Sequence, residues 1–169
     1  VQKTNDYMTA YGDTDCIYAT GEDYITPAAD VIKSRGITDC KIYGSNISPS
    51  VCQLIMDGQV EACTGGEFVC GSLAVTLLIN YLDGNPIKDA DGTAPYFDNL
   101  TQFMVTAENA EDFYEFLSDE NLATHTISDE EYQNLLVRNN PDVDYDYFYD
   151  FLTNYEENVY AKVEANAAQ

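Results

Sequence analysis

Residues 40–64, "CKIYGSNISPSVCQLIMDGQVEACT", decide the fold of this chain because they read as a strand, a helix and a second strand. The first five residues of this stretch are mainly apolar and predict a strand, and the last six predict another. Between the two strands, Ser48 has the position of an N-cap, Pro49 that of the first helical residue and Gly58 that of the stop. A helix between two such strands favours parallel pairing through a crossover.

The flanking sequence continues this alternation of strands and helices. Residues 16–20 predict a strand and residues 23–36 a helix. Residues 68–82 predict a longer helix, and its apolar positions at helical spacing are Leu73, Leu77, Leu78, Tyr81 and Leu82. The predicted fold class is therefore α/β, a parallel sheet with helices on both faces.

From about residue 87 the sequence becomes turn-rich and then helical and acidic. Residues 96–106 contain a predicted strand, and Thr106 has the position of a cap for a helix over residues 108–117. Ser128 and Glu131 form the pattern of a capping box before a further helix.

The end of the chain carries an apolar stripe, formed by Phe148, Phe151, Leu152 and Tyr155. We expect two parts: residues 1–106, a portion of the α/β fold, and residues 107–169, a helical, acidic, aromatic-rich extension packed on it. Asp142, Asp144 and Asp146 occupy alternate positions, as in an EF-hand calcium-binding loop. The Gly and Glu that such a loop needs are replaced by Tyr147 and Thr153, so the match fails.

The charge of the chain excludes some partners. Thirty acidic residues stand against seven basic ones, giving a formal net charge of −23. Such a chain repels phosphate backbones and anionic membranes, so nucleic acid is not an expected partner. The longest apolar run, residues 73–82, is too short to insert in a membrane. The sequence begins at Val1 without an apolar leader, and we expect any secretion signal to have been removed or to lie upstream.

The five cysteines predict buried thiols rather than a disulfide framework or a zinc site. None of them belongs to a CxxC pair, and the single histidine, His125, is remote in sequence. Cys16 and Cys40 lie at or beside apolar runs, where cysteine behaves as a small buried hydrophobe.

The carboxyl ends of the predicted strands are the candidate ligand site, because loops and helix N-termini converge at that edge of an open α/β sheet. Residues 20–23, 45–48 and 64–67 lie at those ends. A polar ligand whose groups both donate and accept hydrogen bonds needs fixed amide and carboxylate partners, because an unpaired buried polar group is costly. Asn46 fits this requirement best, although Asn is also a common turn residue.

The spacing of several residues in this stretch resembles one protein family. A strand-ending glycine is followed by an amide, a proline-started helix and an acid–glycine pair, here Gly44, Asn46, Pro49, Asp57 and Gly58. With the strand, polar turn and long helix that follow, residues 1–106 resemble the carboxyl-terminal half of type I periplasmic sugar-binding proteins, the ribose- and galactose-type receptors of ABC importers. The resemblance implies a lobe of a two-lobed protein that holds its ligand in the cleft between lobes.

The resemblance also implies partners and a location. The partners would be a small polar ligand, a carbohydrate, and an ABC permease, with no cofactor and no chemical turnover. The location would be extracytoplasmic, either periplasmic or lipid-anchored at the outer face of a Gram-positive membrane. Because the sequence for a complete first lobe is missing, we expect the chain to be a fragment.

For the site, the resemblance places Glu22 and Asn46 at positions that commonly contact sugar. Gly66 stands where ribose-type members carry an amide, so we expect a ligand other than ribose, with Glu67 as the substitute contact. Glu22 and Glu67 have an alternative interpretation as acids that open a helix.

Other functions remain open at this point. The same fold serves as the effector-sensing domain of a transcription regulator or receptor, and the acidic, aromatic end is typical of a protein-interaction module. A thiol enzyme would need Cys70 with His125 as its base. A glycosidase would need two paired carboxylates, drawn from Glu22, Asp23 and Glu67.

Overall fold

The structure is a computed structural model that describes residues 1–12, 14–67, 69–119 and 126–168. The chain divides into two compact units. The first comprises Val1–Gly65, Met104–Asp119 and Asn166–Gln169, and the second Gly66–Phe103 and Glu120–Ala165. The boundary predicted at residue 106 stays a prediction.

The described residues form four strands and eight helices. In chain order they are α1 (Gln2–Ala10), β1 (Cys16–Ala19), α2 (Glu22–Ser34), β2 (Lys41–Ser45), α3 (Pro49–Met56), β3 (Ala62–Gly65), α4 (Val69–Leu82), β4 (Phe103–Thr106), α5 (Ala110–Ser118), α6 (Asp129–Asn134), α7 (Tyr145–Thr153) and α8 (Tyr155–Ala167). The predicted α/β class is confirmed. The sequence did not predict α1.

The strands form one sheet in the order β1-β2-β3-β4. β1 pairs with β2 in parallel, and so does β2 with β3, as the alternation of elements predicted. The register places Ala19, Gly44 and Cys63 in one row across three strands. Because the strands are parallel, the residues after this row lie at the same edge of the sheet.

Helix α2 lies very close to β2 at Gly44. A Cβ atom at this position would lie 2.4 Å from Ile25 Cδ1 and 3.1 Å from the Ala19 carbonyl oxygen. Ile25 is fully buried. The absent side chain at Gly44 therefore sets the distance between α2 and the sheet.

The helix predicted after β2 is confirmed in its start and its stop. The Ser48 hydroxyl accepts a hydrogen bond from the Val51 amide at 3.3 Å, and Pro49 is the first helical residue. Gly58 follows the last turn with φ +69°, a conformation that favours glycine. α3 buries Val51, Cys52 and Ile55 and packs against α5.

The cap predicted for α5 is wrong. Its N-cap is Asn109 rather than Thr106. The side-chain oxygen of Asn109 accepts a hydrogen bond from the Thr106 amide at 2.8 Å, so the turn is closed back towards β4. Asn competes well for such local bonds, which explains why the cap lies three residues later than predicted and the helix begins at Ala110 rather than at residue 108.

In the second unit, α4 buries only one of the five apolar positions at helical spacing, Leu73. Its buried residues are Val69, Leu73, Thr76 and Asn80, whereas Leu78, Tyr81 and Leu82 are exposed. Asn80 explains the difference. Its Nδ2 donates to the Leu135 carbonyl at 2.9 Å, and its Oδ1 accepts from the Val137 amide at 3.0 Å. Both hydrogen bonds require Asn80 to face inward.

The last three helices also belong mainly to the second unit. The predicted capping box of Ser128 and Glu131 is confirmed at α6. Phe148, Leu152 and Tyr155 of the predicted apolar stripe are buried, and Phe151 is half-buried. Asp144, one of the three aspartates at alternate positions, caps α7: its carboxylate accepts a hydrogen bond from the Tyr147 amide.

All five cysteines lie in the described residues and carry thiols rather than disulfides. Cys40, Cys52 and Cys63 are buried, and burial raises the pKa of Cys52 to about 12, which keeps its thiol unreactive. Cys16, which we expected to be buried, is exposed, because it begins an edge strand. Among the described residues, no helix combines the length and hydrophobicity needed to cross a membrane.

We expect Asn80→Ala to lower the free energy of unfolding by about 2–3 kcal/mol, because it leaves a buried carbonyl and a partly buried amide without partners. Urea unfolding followed by circular dichroism measures this loss. Asn85→Ala is the matched control, since the exposed Asn85 amide has only a 3.5 Å contact with the Asp83 carbonyl. Equal stability of the Asn80 and Asn85 variants would contradict the role of Asn80.

We expect Gly44→Ala to lower the free energy of unfolding by about 1–3 kcal/mol, because the new methyl group overpacks Ile25. Ile25→Val removes the nearest atom and by itself costs about 1 kcal/mol. The double variant should therefore lose less stability than the sum of the two single changes. Simple additivity would show that the α2–β2 distance is not set by this contact.

Candidate ligand site at the carboxyl edge of the sheet

The carboxyl edge of the sheet in the first unit is where the polar groups converge. Thr20 and Ser45 follow the paired residues Ala19 and Gly44 on adjacent strands. The N-termini of α2 and α3 begin immediately after these strand ends. Helix N-termini present unpaired amides and a positive partial charge, so this edge favours acidic side chains and polar ligands.

Glu22 is the first residue of α2 and is half-buried. Its carboxylate accepts a hydrogen bond from the Ser50 hydroxyl, which belongs to the first turn of α3. The predicted site residue thus joins the starts of two helices. A carboxylate in this place is stabilised by both helix dipoles.

The Ser48 and Ser50 hydroxyl oxygens lie 2.9 Å apart and extend this contact into a chain of hydrogen bonds. Because Ser50 donates its one proton to Glu22, its oxygen accepts from Ser48. The Ser48 oxygen in turn accepts from the Val51 amide. The chain therefore runs in one direction, from the α3 backbone to the Glu22 carboxylate, and holds three polar side chains in fixed positions.

Asn46 follows β2 directly and has φ 73°, in the left-handed region. It is the only residue other than glycine with positive φ in the described part of the chain. Asn tolerates this conformation better than most residues, which accounts for a turn role. The side chain is exposed at the same edge as Glu22, and its role in ligand contact stays a prediction.

Glu67 belongs to the second unit, where it lies in the turn before α4 and is half-buried. Its backbone carbonyl accepts from the Cys70 amide at 3.2 Å, so it takes part in opening the helix. Beside it, a Cβ atom at Gly66 would lie 2.9 Å from Tyr155 Cε1. Gly66 is therefore required by packing against Tyr155, which explains why no amide occupies that position. A ligand role for Glu67 also stays a prediction.

Sequence reasoning missed Ser50 as a site residue. Its signal is the Ser-Pro-Ser sequence of residues 48–50, in which the third residue lies in the first helical turn. Its pairing with Glu22, 28 residues earlier, depends on the parallel register and is not readable from local sequence.

The arrangement presents the groups of a polar binding site. It offers a carboxylate, two hydroxyls and an exposed amide, a set that matches a neutral ligand with several hydroxyl groups. Cys70, the candidate nucleophile, is exposed in the first turn of α4, and its proposed base His125 lies outside the described residues. In the ranges that the structure describes, no group of three His, Cys, Asp or Glu side chains is placed to hold a metal ion.

No known family model matches the sequence, and no curated protein matches it. Several solved structures superpose on this chain. A periplasmic sugar-binding protein from Pseudomonas fluorescens superposes with a TM-score of 0.60 at 18% identity, covering 86% of this chain and 43% of that chain. The periplasmic component of the arabinose ABC transporter from Shewanella sp. ANA-3, bound to L-arabinofuranose, gives a TM-score of 0.56 at 21% identity, covering 72% and 40%.

A myo-inositol-binding protein from Caulobacter gives a TM-score of 0.52 at 17% identity, covering 66% of this chain and 37% of that chain. The chain thus spans about two fifths of the length of the proteins that it matches. The predicted resemblance is confirmed at the level of structure: this chain has the α/β fold of periplasmic sugar-binding proteins.

Proposed function

We propose that this chain is the ligand-contacting part of an extracytoplasmic receptor that captures a small polyhydroxylated solute, a sugar or a polyol. The observation that carries the proposal is the ordered chain of hydrogen bonds from Val51 through Ser48 and Ser50 to Glu22. It holds a carboxylate at the sheet edge where open α/β folds bind polar ligands. The similar structures named above are described as binding sugars and myo-inositol, which supports this ligand class.

The charges of the chain are consistent with a neutral ligand. Each sugar hydroxyl can donate to Glu22 and accept from a neighbouring amide, so no charge on the ligand is required. A net charge of −23 disfavours anionic ligands such as sugar phosphates. In this proposal Glu22 and Asn46 contact the ligand, and Ser48 and Ser50 position Glu22.

The mechanism is binding without bond chemistry. We propose that two lobes close around the solute, which replaces its hydration shell with fixed protein groups, and that the closed form is recognised by an ABC permease. Because closure buries the ligand hydroxyls, each protein group must be paired in the closed state. The location follows from this role and would be periplasmic, or lipid-anchored at the outer face of a Gram-positive membrane.

Isothermal titration of the natural polypeptide that carries this chain with L-arabinose, D-galactose, D-ribose and myo-inositol tests the proposal. We expect at least one of these ligands to bind. Glu22→Gln should weaken that binding by about tenfold to a hundredfold, because an ionised acceptor is lost while the shape is kept. Glu61→Gln is the matched control, since Glu61 pairs with Lys41 before β3, at the opposite edge. No binding by any ligand, or equal loss in both variants, would contradict the proposal.

Two substitutions of Asn46 separate its turn role from ligand contact. Asn46→Gly keeps the left-handed backbone and removes the amide, so it should preserve stability and weaken binding by about tenfold. Asn46→Ala strains the turn and should also lower the free energy of unfolding, by about 1 kcal/mol. Unchanged affinity in the glycine variant would show that Asn46 only turns the chain.

A further inference from the structure

The hydrogen-bond chain at the carboxyl edge uses all of its own hydroxyl protons. Ser48 gives its proton to Ser50, and Ser50 gives its proton to the Glu22 carboxylate. A hydroxyl carries a single proton, and an ionised carboxylate carries none. These three side chains therefore offer a ligand lone pairs only, and the ligand has to supply the hydrogen-bond donors.

The Glu22 carboxylate is not neutralised by a charged side chain. Glu22 belongs to none of the ion pairs between described residues, which are Lys41–Glu61, Arg138–Asp83 and Lys162–Glu131. Its donor is the neutral Ser50 hydroxyl, and the starts of α2 and α3 favour its ionised form. Asp23, which follows it on α2, is exposed and adds a second negative charge. This edge therefore attracts a positively charged group.

Three of the four Lys and Arg side chains in the described part of the first unit lie towards the other edge of the sheet. Lys41 begins β2 and pairs with Glu61, and Lys33 lines the same pocket as these two residues. Arg35 caps the far end of α2, and its guanidinium donates to residues of α1. Because the two ends of this 13-residue helix are about 18 Å apart, neither Lys33 nor Arg35 reaches Glu22.

The fourth basic side chain, Lys3, belongs to α1 and lines a groove with Thr20 and Tyr24. Tyr24 comes two positions after Glu22, and residues at this spacing point to different sides of a helix. Glu22 instead faces Ser50 on α3. Among the described residues of this unit, no Lys or Arg therefore lies on the side of α2 that carries the carboxylate.

We propose that the solute is an amino sugar whose protonated amine binds Glu22. The inference rests on the function proposed above and specifies its ligand. A sugar hydroxyl brings one proton and no charge, whereas an ammonium group brings three protons and adds the attraction of opposite charges to the hydrogen bond. A neutral sugar fits the same edge but pairs less strongly with Glu22. The Asn46 amide, which both donates and accepts, is suited to the ring hydroxyls instead.

Isothermal titration of the natural polypeptide that carries this chain tests the preference with matched ligands. D-galactosamine is compared with D-galactose and N-acetyl-D-galactosamine, and D-glucosamine with D-glucose and N-acetyl-D-glucosamine. The titrations are made at about pH 6, where amines are protonated. In at least one of the two series, the amino sugar should bind about tenfold more tightly than either neutral form, because only the amino sugar places a positive charge at Glu22.

Glu22→Gln should bind the amino sugar and its neutral parent with equal affinity, because this variant keeps the shape of the side chain and loses its charge. Glu61→Gln, at the opposite edge, should keep the preference. Circular dichroism checks the fold of each variant. If Glu22→Gln does not fold, ¹⁵N shifts of the unaltered protein replace it. The amides of residues 21–23 should then shift differently with the amino sugar and with its parent, and identical shifts would contradict the proposal.

Equal or tighter binding of the neutral sugars would overturn the amine and leave the proposed function standing. A preference that persists in Glu22→Gln would also overturn the inference, because another group would then bind the amine. Binding of none of these sugars, nor of the four ligands in the earlier titration, would contradict the proposed function and this inference with it.

Discussion

The close contact between α2 and β2 at Gly44 is the constraint on which the candidate site depends. With no side chain at Gly44, Ile25 packs directly on the strand, and α2 begins at the level of the first turn of α3. This proximity brings the Glu22 carboxylate within reach of Ser50. Core packing and site geometry are therefore coupled. A shift of α2 away from the sheet would also move the Glu22 carboxylate away from its hydrogen-bond donor, Ser50.

The second unit shows a different balance between polar and apolar groups. A single buried amide, Asn80, satisfies two backbone groups and decides which face of α4 is turned inward. Leaving a buried backbone group unpaired costs about as much free energy as the burial of several methyl groups gains. Pairing these groups with Asn80 therefore decides the orientation of the helix, even though it leaves apolar side chains exposed. Leu78 and Leu82 remain on the surface as a result. Apolar residues lie on both faces of the helix, and the polar residues Thr76 and Asn80 mark its inner side.

Local sequence predicted what local chemistry decides. Ser48, Pro49 and Gly58 fixed the start and stop of α3, since capping and backbone preference act within one turn. The face of α4 was not predictable, because the partners of Asn80 lie 55 and 57 residues further along the chain. The pairing of Glu22 with Ser50 was missed because these residues are 28 positions apart, although the strand ends that precede them were expected at the same edge of the sheet. The resemblance to sugar-binding receptors rested on spacing over a long stretch, and that spacing reflects the shared βαβ geometry.

The most direct measurement is a chemical-shift titration of the ¹⁵N-labelled chain with L-arabinose, D-galactose and myo-inositol. It detects even millimolar binding, which suits a chain that spans about two fifths of the proteins it resembles. The account predicts saturable shifts for at least one ligand at the amides of residues 21–23, 46–48, 50 and 51, with small changes at the opposite edge around Glu61. Shifts confined to that opposite edge, or none at saturating ligand, would contradict a polyol site at the carboxyl edge of the sheet.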